Sequence, residues 1–591
     1  MRNLKDPTQT ELFNPYSTVF KDANFNELNR SWQGVFRHVI LELLPAREIG
    51  KHFTRDMGRP TKELYSIAGL LFLLEAMNWT KEEALTAYRY HMDVHYALNL
   101  SPSAQQLGMR TLERYIALFN EDELAAKVMN DVTSRLVKLL ELDVSKQRLD
   151  STHIYSNMAS MGRTRLMRTA IKRFLAQVIR HDEPSYRLLP EELTERYFKN
   201  DFKVFAHIKN DEKKLNVLRQ KTAEDLNFVI NFFADDETHT NRTTYKNMVT
   251  IFHQQCEIKT TTGDDSGDSG DSSGGGQEIV EVRKKTGGNI IVNPSDPDAT
   301  FDGHKGEGYQ VQLCETCSDE NDVQLIVDAE VQTAVESDSA FLETALENLE
   351  SKQLSPKQLL ADTAYCTDDN VQTAVQKNIS LTGPAPGKYR TESNKKMNLS
   401  YFKFDSEKLI ITRCPANRKP LISKQFCSGM NNSGIPDKLL TVMDGEKCFK
   451  CNLNEKCPGK FSGTTGVCAP FTFRIHMELK SLRLYKRREH EQTDEFRTIY
   501  KKRSGIEGTN SGLKQKTGMG RLRVRHKKRV TMAVLLKVSG WNMMRAAVSE
   551  KMHIYVKTRA LKAGLAFLRA VFSIFPLNFR LNPLKYRSSA P

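Results

Sequence analysis

No apolar run in the chain reaches the roughly 18–20 residues needed to span a bilayer, and the best candidate, AGLLFLLEAM (68–77), reads as a buried helix. The N-terminal MRNLKDPTQTELFNPYST has no apolar signal-peptide core, so a cytoplasmic location is expected. Internal repeats are absent, which sets aside repeat architectures. Cysteine is scarce, ten in 591 residues, and inside a reducing cell clustered cysteines point to metal more often than to disulfides. Acidic residues run thinnest over 471–530, where six Asp/Glu face 18 Lys/Arg. That surplus of twelve is most of the net +15 of the whole chain. Charge focused in this way favours a polyanionic partner over a merely solvated surface.

What is present divides the length into several units, since 591 residues exceed single-domain size and suggest roughly two to four domains. Residues 1–143 carry apolar residues at helical spacing, as in KELYSIAGLLFLLEAM and 111–142, and are expected to form a helical domain for DNA binding or dimerisation. A scaffold role is the equal alternative. SKQRLDSTHIYS reads as a strand with Asp150 at or near its end. Helical character returns over 160–255, with a Gly/Ser/Asp tract at 262–278 too polar to pack.

The pattern then becomes α/β. GYQVQLCET (308–316) and DVQLIVDAEVQ (322–332) read as paired strands, followed by a helix at 339–352, a buried strand at 358–365, a helix at 367–378 and a last strand, ISLTGP. Three strands, helix, strand, helix, strand is the order of a ribonuclease-H-like sheet. It requires Asp150 on the first strand and a helical insertion at 160–300. The fold class expected is an α/β ribonuclease-H-like catalytic core (144–395 and 485–550) with a helical N-terminal domain, an inserted cysteine-rich subdomain (396–484) and a basic C-terminal tail (551–591).

Asp150 in LDST and Asp362 in LLADTAY both fall near strand ends. Phosphodiester chemistry commonly uses two divalent ions about 3.5–4 Å apart on carboxylates, and Mg²⁺ takes few protein oxygens, keeping waters and substrate phosphates. Either Asp alone is weak evidence, because Asp often caps a turn. A third carboxylate, Glu507, sits in the most basic stretch, YKKRSGIEGTNSGLKQ (500–515). Tyr500, Arg503, Glu507 and Lys514 lie at offsets that place them within roughly 60° on one helix face. A guanidinium and an amine there suit phosphates, and the carboxylate suits a metal. Gly508 and Gly512 within the helix each cost about 1 kcal/mol against Ala; they either admit close approach to DNA or mark a break.

Tyr-x2-Arg-x3-Glu-x6-Lys resembles the signature of a large group of DDE transposases from bacterial insertion sequences. RLDSTHIYSN, DPDATFDGHKGEGYQVQL and LLADTAYCTDDN resemble the blocks around that group's two aspartates, and RHKKRVTMAVLLKVSGWNMMRA (525–546) its basic tail and closing helix. GRPTKELYSIAGLLFLLEAMNWT resembles its helical entry domain. The resemblance spans roughly residues 30–550. It implies catalysis by Asp150, Asp362 and Glu507 on two Mg²⁺ (or Mn²⁺) ions, with Tyr500, Arg503 and Lys514 contacting DNA. It further implies strand cleavage at element ends, then strand transfer by the released 3′-hydroxyl. Double-stranded DNA, as transposon ends and target, is the implied partner, with a homodimer as the working form and a nucleoid-associated location. A domesticated DNA-binding protein, a metal-dependent nuclease that does not join, and a zinc-stabilised adaptor are the rival readings.

Two further segments bear on chemistry. Cys414, Cys448, Cys451 and Cys457 have spacing that suits a closed, structural Zn²⁺ site, with Cys427 and Cys468 as substitutes; a similar pattern occurs in relatives of the group. The CETC pair, Cys256 and Cys366 read as structural, and His153 and His304 as weak candidates beside the acidic blocks. GMGRLRVRHKKR (518–529) places Arg521, Arg523 and Arg525 where they can hold phosphates, contacts that position DNA without reading its sequence.

Overall fold

The computed structural model describes residues 1–9, 15–103, 105–198, 201–206, 208, 211–261, 277–387, 397, 401–405, 408–427, 436–462 and 471–561. The main sheet contains five long-order strands: β1 (Lys146–Ile154), β2 (Gly306–Thr316), β3 (Ile326–Thr333), β4 (Gln358–Leu360) and β5 (Ser380–Thr382). Their spatial order is β3-β2-β1-β4-β5, and the short strand Thr300–Asp302 adds to the other end of β2's pairing. β2 runs antiparallel to β1 and β3, while β4 and β5 are parallel to β1. This mixed order is the one expected of a ribonuclease-H-like sheet. β1 and β2 are buried on both faces, which is why they read as strands only weakly by alternation.

Eight helices bear on the site and its support. α1 (Leu64–Ala76) is buried at all thirteen positions, as an all-round apolar helix must be. Glu63 caps it by accepting the Tyr65 and Ser66 N–H groups. α2 (Leu124–Leu140) packs against the late helix Lys527–Ala546, and α3 (Asp338–Ser351) and α4 (Asp368–Gln376) lie between the strands in sequence. α5 (Leu479–Glu491) is pinned to the β4–β5 side: Arg483 holds Asp368 with two nitrogens, and Arg487 donates to the Cys366 and Gly383 carbonyls. α6 (Asp494–Tyr500), α7 (Gly505–Thr517) and α8 (Lys527–Ala546) complete the chain's inner shell.

α8 is nearly enclosed, and two of its buried polar side chains, Asn542 and Lys537, tie it to its neighbours. Asn542 accepts the Ile326 N–H (2.9 Å) and donates to the Ile326 carbonyl (2.7 Å), satisfying the exposed start of β3. Lys537 donates to the carbonyls of Thr517 (2.7 Å) and Glu75 (3.1 Å) and to Asn78 Oδ1 (3.2 Å). One buried amine therefore ties α1, α7 and α8 together. At the other end of α8, Asp296 and Asp298 accept the N–H groups of His526 (3.0 Å) and Lys527 (2.9 Å), so the DPDA block caps a helix.

The N-terminal helices differ from a separate DNA-binding module. Val35, Phe72 and Leu136 belong to the same apolar cluster as Leu149, Leu313, Leu359 and Trp541. The helical segment and the sheet thus share one core. The insertion at 160–300 does form its own core, around Phe174, Leu226 and Met248, but it is not purely helical. Its helices end at Gln255 and a hairpin follows, Cys256–Thr261 paired with Gln277–Val282. Of the polar tract expected at 262–278, residues 262–276 lie outside the described residues, and Gln277 and Glu278 begin that second strand.

Residues 401–478 build a third core around Leu439, Met443, Phe473 and Ile475, beneath a four-stranded antiparallel sheet. The tail expected to begin at 551 is helical through residue 561, and Arg559 pairs with Glu42 at 2.8 Å; residues 562–591 lie outside the described residues. No helix among the described residues is long and apolar enough to cross a membrane.

Candidate active site

Asp150 is not at the end of its strand but at its middle. β2 is eleven residues long and pairs with β1 as far as Ile154, so the ladder carries on four residues past Asp150. Strand alternation puts Arg148, Asp150 and Thr152 on one face. Asp362 lies two residues beyond β4, which is only three residues long rather than the eight expected. Its Oδ1 accepts the Ala364 N–H at 2.9 Å. Because β4 lies directly beside β1 and parallel to it, the two aspartates come from neighbouring strands.

The continuous helix expected through Tyr500–Lys514 is interrupted. Tyr500 ends α6, residues Lys501–Ser504 form a 3₁₀ turn, and α7 begins at Gly505. Arg148 accounts for the interruption: its Nη1 donates to the Lys502 carbonyl at 2.8 Å. A Cβ on Gly505 would sit 2.0 Å from that nitrogen, so only glycine admits the guanidinium. Gly508 and Gly512 cause no break. Gly512 lies against the Trp541 ring, whose nearest atom would be 2.5 Å from an added Cβ, whereas Gly508 faces open space.

The turn aims Arg503 inward. Its Nη2 lies 3.0 Å from Asp150 Oδ1, and its Nη1 lies 3.0 Å from Glu507 Oε1. One guanidinium thereby joins two carboxylates that are 357 positions apart in the numbering. Burial pushes the Asp150 carboxyl above its ordinary range; Arg503 pulls it down and the nearby Asp362 pushes it up again. Burial also raises the Tyr500 phenol, with Arg503 opposing and Asp362 adding. Asp150, Asp362, Tyr500 and Arg503 thus share one electrostatic neighbourhood, and Glu507 reaches it through Arg503.

The remaining expected residues divide. Lys514 is half-buried, its stem against Gly520; burial pulls its pKa down, and it makes no ion pair among the described residues. Arg521 is exposed. Arg523 and Arg525 are exposed too, but each also serves the fold, donating to the carbonyls of Asn78 and Asn157. His153 is held by the Glu307 carbonyl at 3.0 Å, and burial lowers its pKa; His304 only supplies a backbone N–H to Asp302. Cys314 and Cys317 of CETC are buried, as are Cys256 and Cys366.

Cys414, Cys448, Cys451 and Cys457 line one cavity with Met443, Phe473 and Ile475. Tight turns present three of them: the N–H of Cys451 bonds to the Cys448 carbonyl, and that of Asn417 to the Cys414 carbonyl. Burial pushes the Cys448 thiol up to about 11, with Cys457, Cys414 and Cys451 adding to the shift. Arg418, which lines the same cavity, opposes that rise. Cys427 is exposed and outside the cavity, and Cys468 lies outside the described residues.

Sequence reasoning missed four residues. Arg148 and Glu315 form a buried pair at 2.6 Å, and Thr509 donates to Glu315 at 2.8 Å; nothing in the sequence signals a contact across that separation. Asn510 donates to Asp150 Oδ2 at 3.2 Å. Its position was readable, because Asn510 lies three residues after Glu507 and seven after Arg503, in the same helical stripe. Tighter Asp/His groups exist elsewhere, at Asp182, Asp236 and His239 and at Asp296, Asp298 and His526. Both are built from helix-capping aspartates.

Residues 413–547 match the family described as Transposase DDE domain. The match is to a DDE transposase domain and covers less than a quarter of the chain. It takes in Tyr500, Arg503, Glu507, Lys514 and the cysteine cavity, while Asp150 and Asp362 precede it. Among solved structures, a piggyBac transposase synaptic complex with hairpin DNA is similar at 9% identity and a TM-score of 0.20, over 48% of this chain and 52% of that one. The chain therefore covers about half of that protein. No curated protein matches.

Proposed function

We propose that the protein is a DNA transposase of the bacterial insertion-sequence type, which cleaves strands at the ends of its element and joins them to target DNA. The observation that carries this reading is the pairing of Asp150 and Glu507 on one Arg503 guanidinium with Asp362 alongside. Arg503 bridges two of these carboxylates, and with Asp362 beyond the neighbouring strand they offer hard oxygen donors of the kind that suits Mg²⁺ or Mn²⁺. Asp150, Asp362 and Glu507 would hold two such ions, which supply Lewis acidity, a water activated near neutral pH and stabilisation of the leaving oxygen.

The chain's own residues do the rest. Tyr500 and Lys514 face the same stripe as Glu507 and hold the DNA strand across it. Arg503, which holds Asp150 and Glu507 in this structure, would be free to pair with a phosphate in fork geometry where ions took its place. Arg521, Arg523 and Arg525 extend the phosphate track past α7. Double-stranded DNA is the partner, as element end and as target, and a homodimer brings two ends together. The test is incubation of the purified protein with a duplex carrying the DNA that flanks its gene, in Mg²⁺. A nicked end followed by a joined product is expected. Absence of nicking on every duplex in either Mg²⁺ or Mn²⁺ overturns the reading; nicking without joining reduces it to a nuclease.

The four-cysteine cavity holds a structural Zn²⁺ in this reading, with no open position for catalysis. Because such an ion contributes folding energy, a strong zinc chelator is expected to lower the melting temperature of the parent protein. Cys448→Ser should start from that lower temperature and respond no further. Equal melting of parent and variant with and without chelator would remove zinc from the account.

A further inference from the structure

Asn510 bonds directly to Asp150 yet has no part in the signature residues. Its side chain is 9% exposed and projects from α7 on the stripe formed by Arg503, Glu507 and Lys514. Nδ2 donates to Asp150 Oδ2 at 3.2 Å, while Oδ1 is buried and has no hydrogen-bond partner. The orientation of the amide is fixed by its neighbour, since the reverse would set two oxygens face to face. Arg503 takes the other oxygen of the same carboxylate. Asp150 is therefore gripped on both oxygens, once by a cation and once by a neutral amide.

An orphaned carbonyl oxygen in a buried place is costly unless something arrives to use it. Neighbouring donors are committed: the Thr509 hydroxyl to Glu315, and both Arg503 Nη groups to Asp150 and Glu507. We propose that Asn510 is a fourth residue of the metal centre, holding Asp150 through Nδ2 and lending Oδ1 as a neutral oxygen to the shell of the divalent ion. A neutral donor suits this position, because a fourth carboxylate would add to the repulsion already felt between Asp150 and Asp362. The same amide sets the rotation of Asp150 before the ion binds. This inference rests on the transposase reading for the presence of the ion, and on the geometry of α7 for the residue.

The test is calorimetric titration of the full chain with Mg²⁺ in the absence of DNA, the heat being assigned to this centre by its loss in Asp150→Asn. Asn510→Ala and the near-isosteric Asn510→Leu both lack donor and acceptor and are expected to weaken Mg²⁺ binding about tenfold or more. Asn510→Asp keeps an oxygen but loses the Nδ2 donor and sets a like charge beside Asp150, and is expected to bind less tightly than the parent but more tightly than Ala or Leu. Nicking should follow the same order. Parental affinity in both Ala and Leu variants, or a loss in Asp equal to that in Ala, overturns the assignment of Oδ1. If the parent binds Mg²⁺ and nicks DNA while the Ala variant is unaffected, only this inference fails; if the parent does neither, the transposase reading fails with it.

Discussion

Asp362→Asn is expected to reduce strand nicking about a thousandfold, in the range lost when a group that stabilises developing charge is removed, with the melting temperature unchanged. Asp362 is the cleanest of the three carboxylates to alter. Its side chain accepts one local hydrogen bond, from the Ala364 N–H to Oδ1, and an asparagine oxygen accepts that bond equally well. The substitution therefore removes one negative charge and nothing else. Asp150 is less suitable, since it also holds Arg503 and Asn510. Single-turnover nicking in Mg²⁺, paired with thermal melting, checks the prediction. Nicking at the parental rate would eliminate Asp362 from the chemistry.

The second large effect lies beneath the site. Glu315→Ala is expected to destabilise the protein by about 3–5 kcal/mol, the usual consequence of stranding one member of a buried pair. Arg148 would be left with its guanidinium 11% exposed and its 2.6 Å partner gone. Burial already pushes the Glu315 carboxyl up, and Arg148 and Thr509 pull it down, so the pair is held against a desolvation cost. Replacing both partners by apolar residues of like volume is accordingly expected to restore most of the stability. It should not restore nicking, because Arg148 also fixes the Lys502 carbonyl and with it the turn that aims Arg503. Thermal melting followed by nicking of the single and double variants separates the two roles. A double variant that nicks like the parent would show that Arg148 does no positioning.

The sheet was legible because each strand is bounded by turn residues and its partners follow in simple order. The helices at 338–351 and 368–376 fall within a residue or two of where periodicity puts them. What escaped was whatever depended on contacts across long stretches of chain. β1 runs past Asp150 because of the length of β2, and the 500–514 helix is broken because Arg148, some 350 residues earlier, takes a carbonyl from it. The one site residue that was locally readable and overlooked is Asn510, hidden by attention to charged side chains in a stripe where an amide also stands.

The common core has a consequence in time. Gly540 of α8 lies against Ala76 of α1, 464 residues earlier on the chain. At about 5–20 residues per second of synthesis, α1 emerges from the ribosome roughly 25–90 seconds before the helix that covers it. All thirteen of its residues must wait that long, screened by chaperones or by non-native neighbours, and until α8 arrives the catalytic sheet remains open on that side.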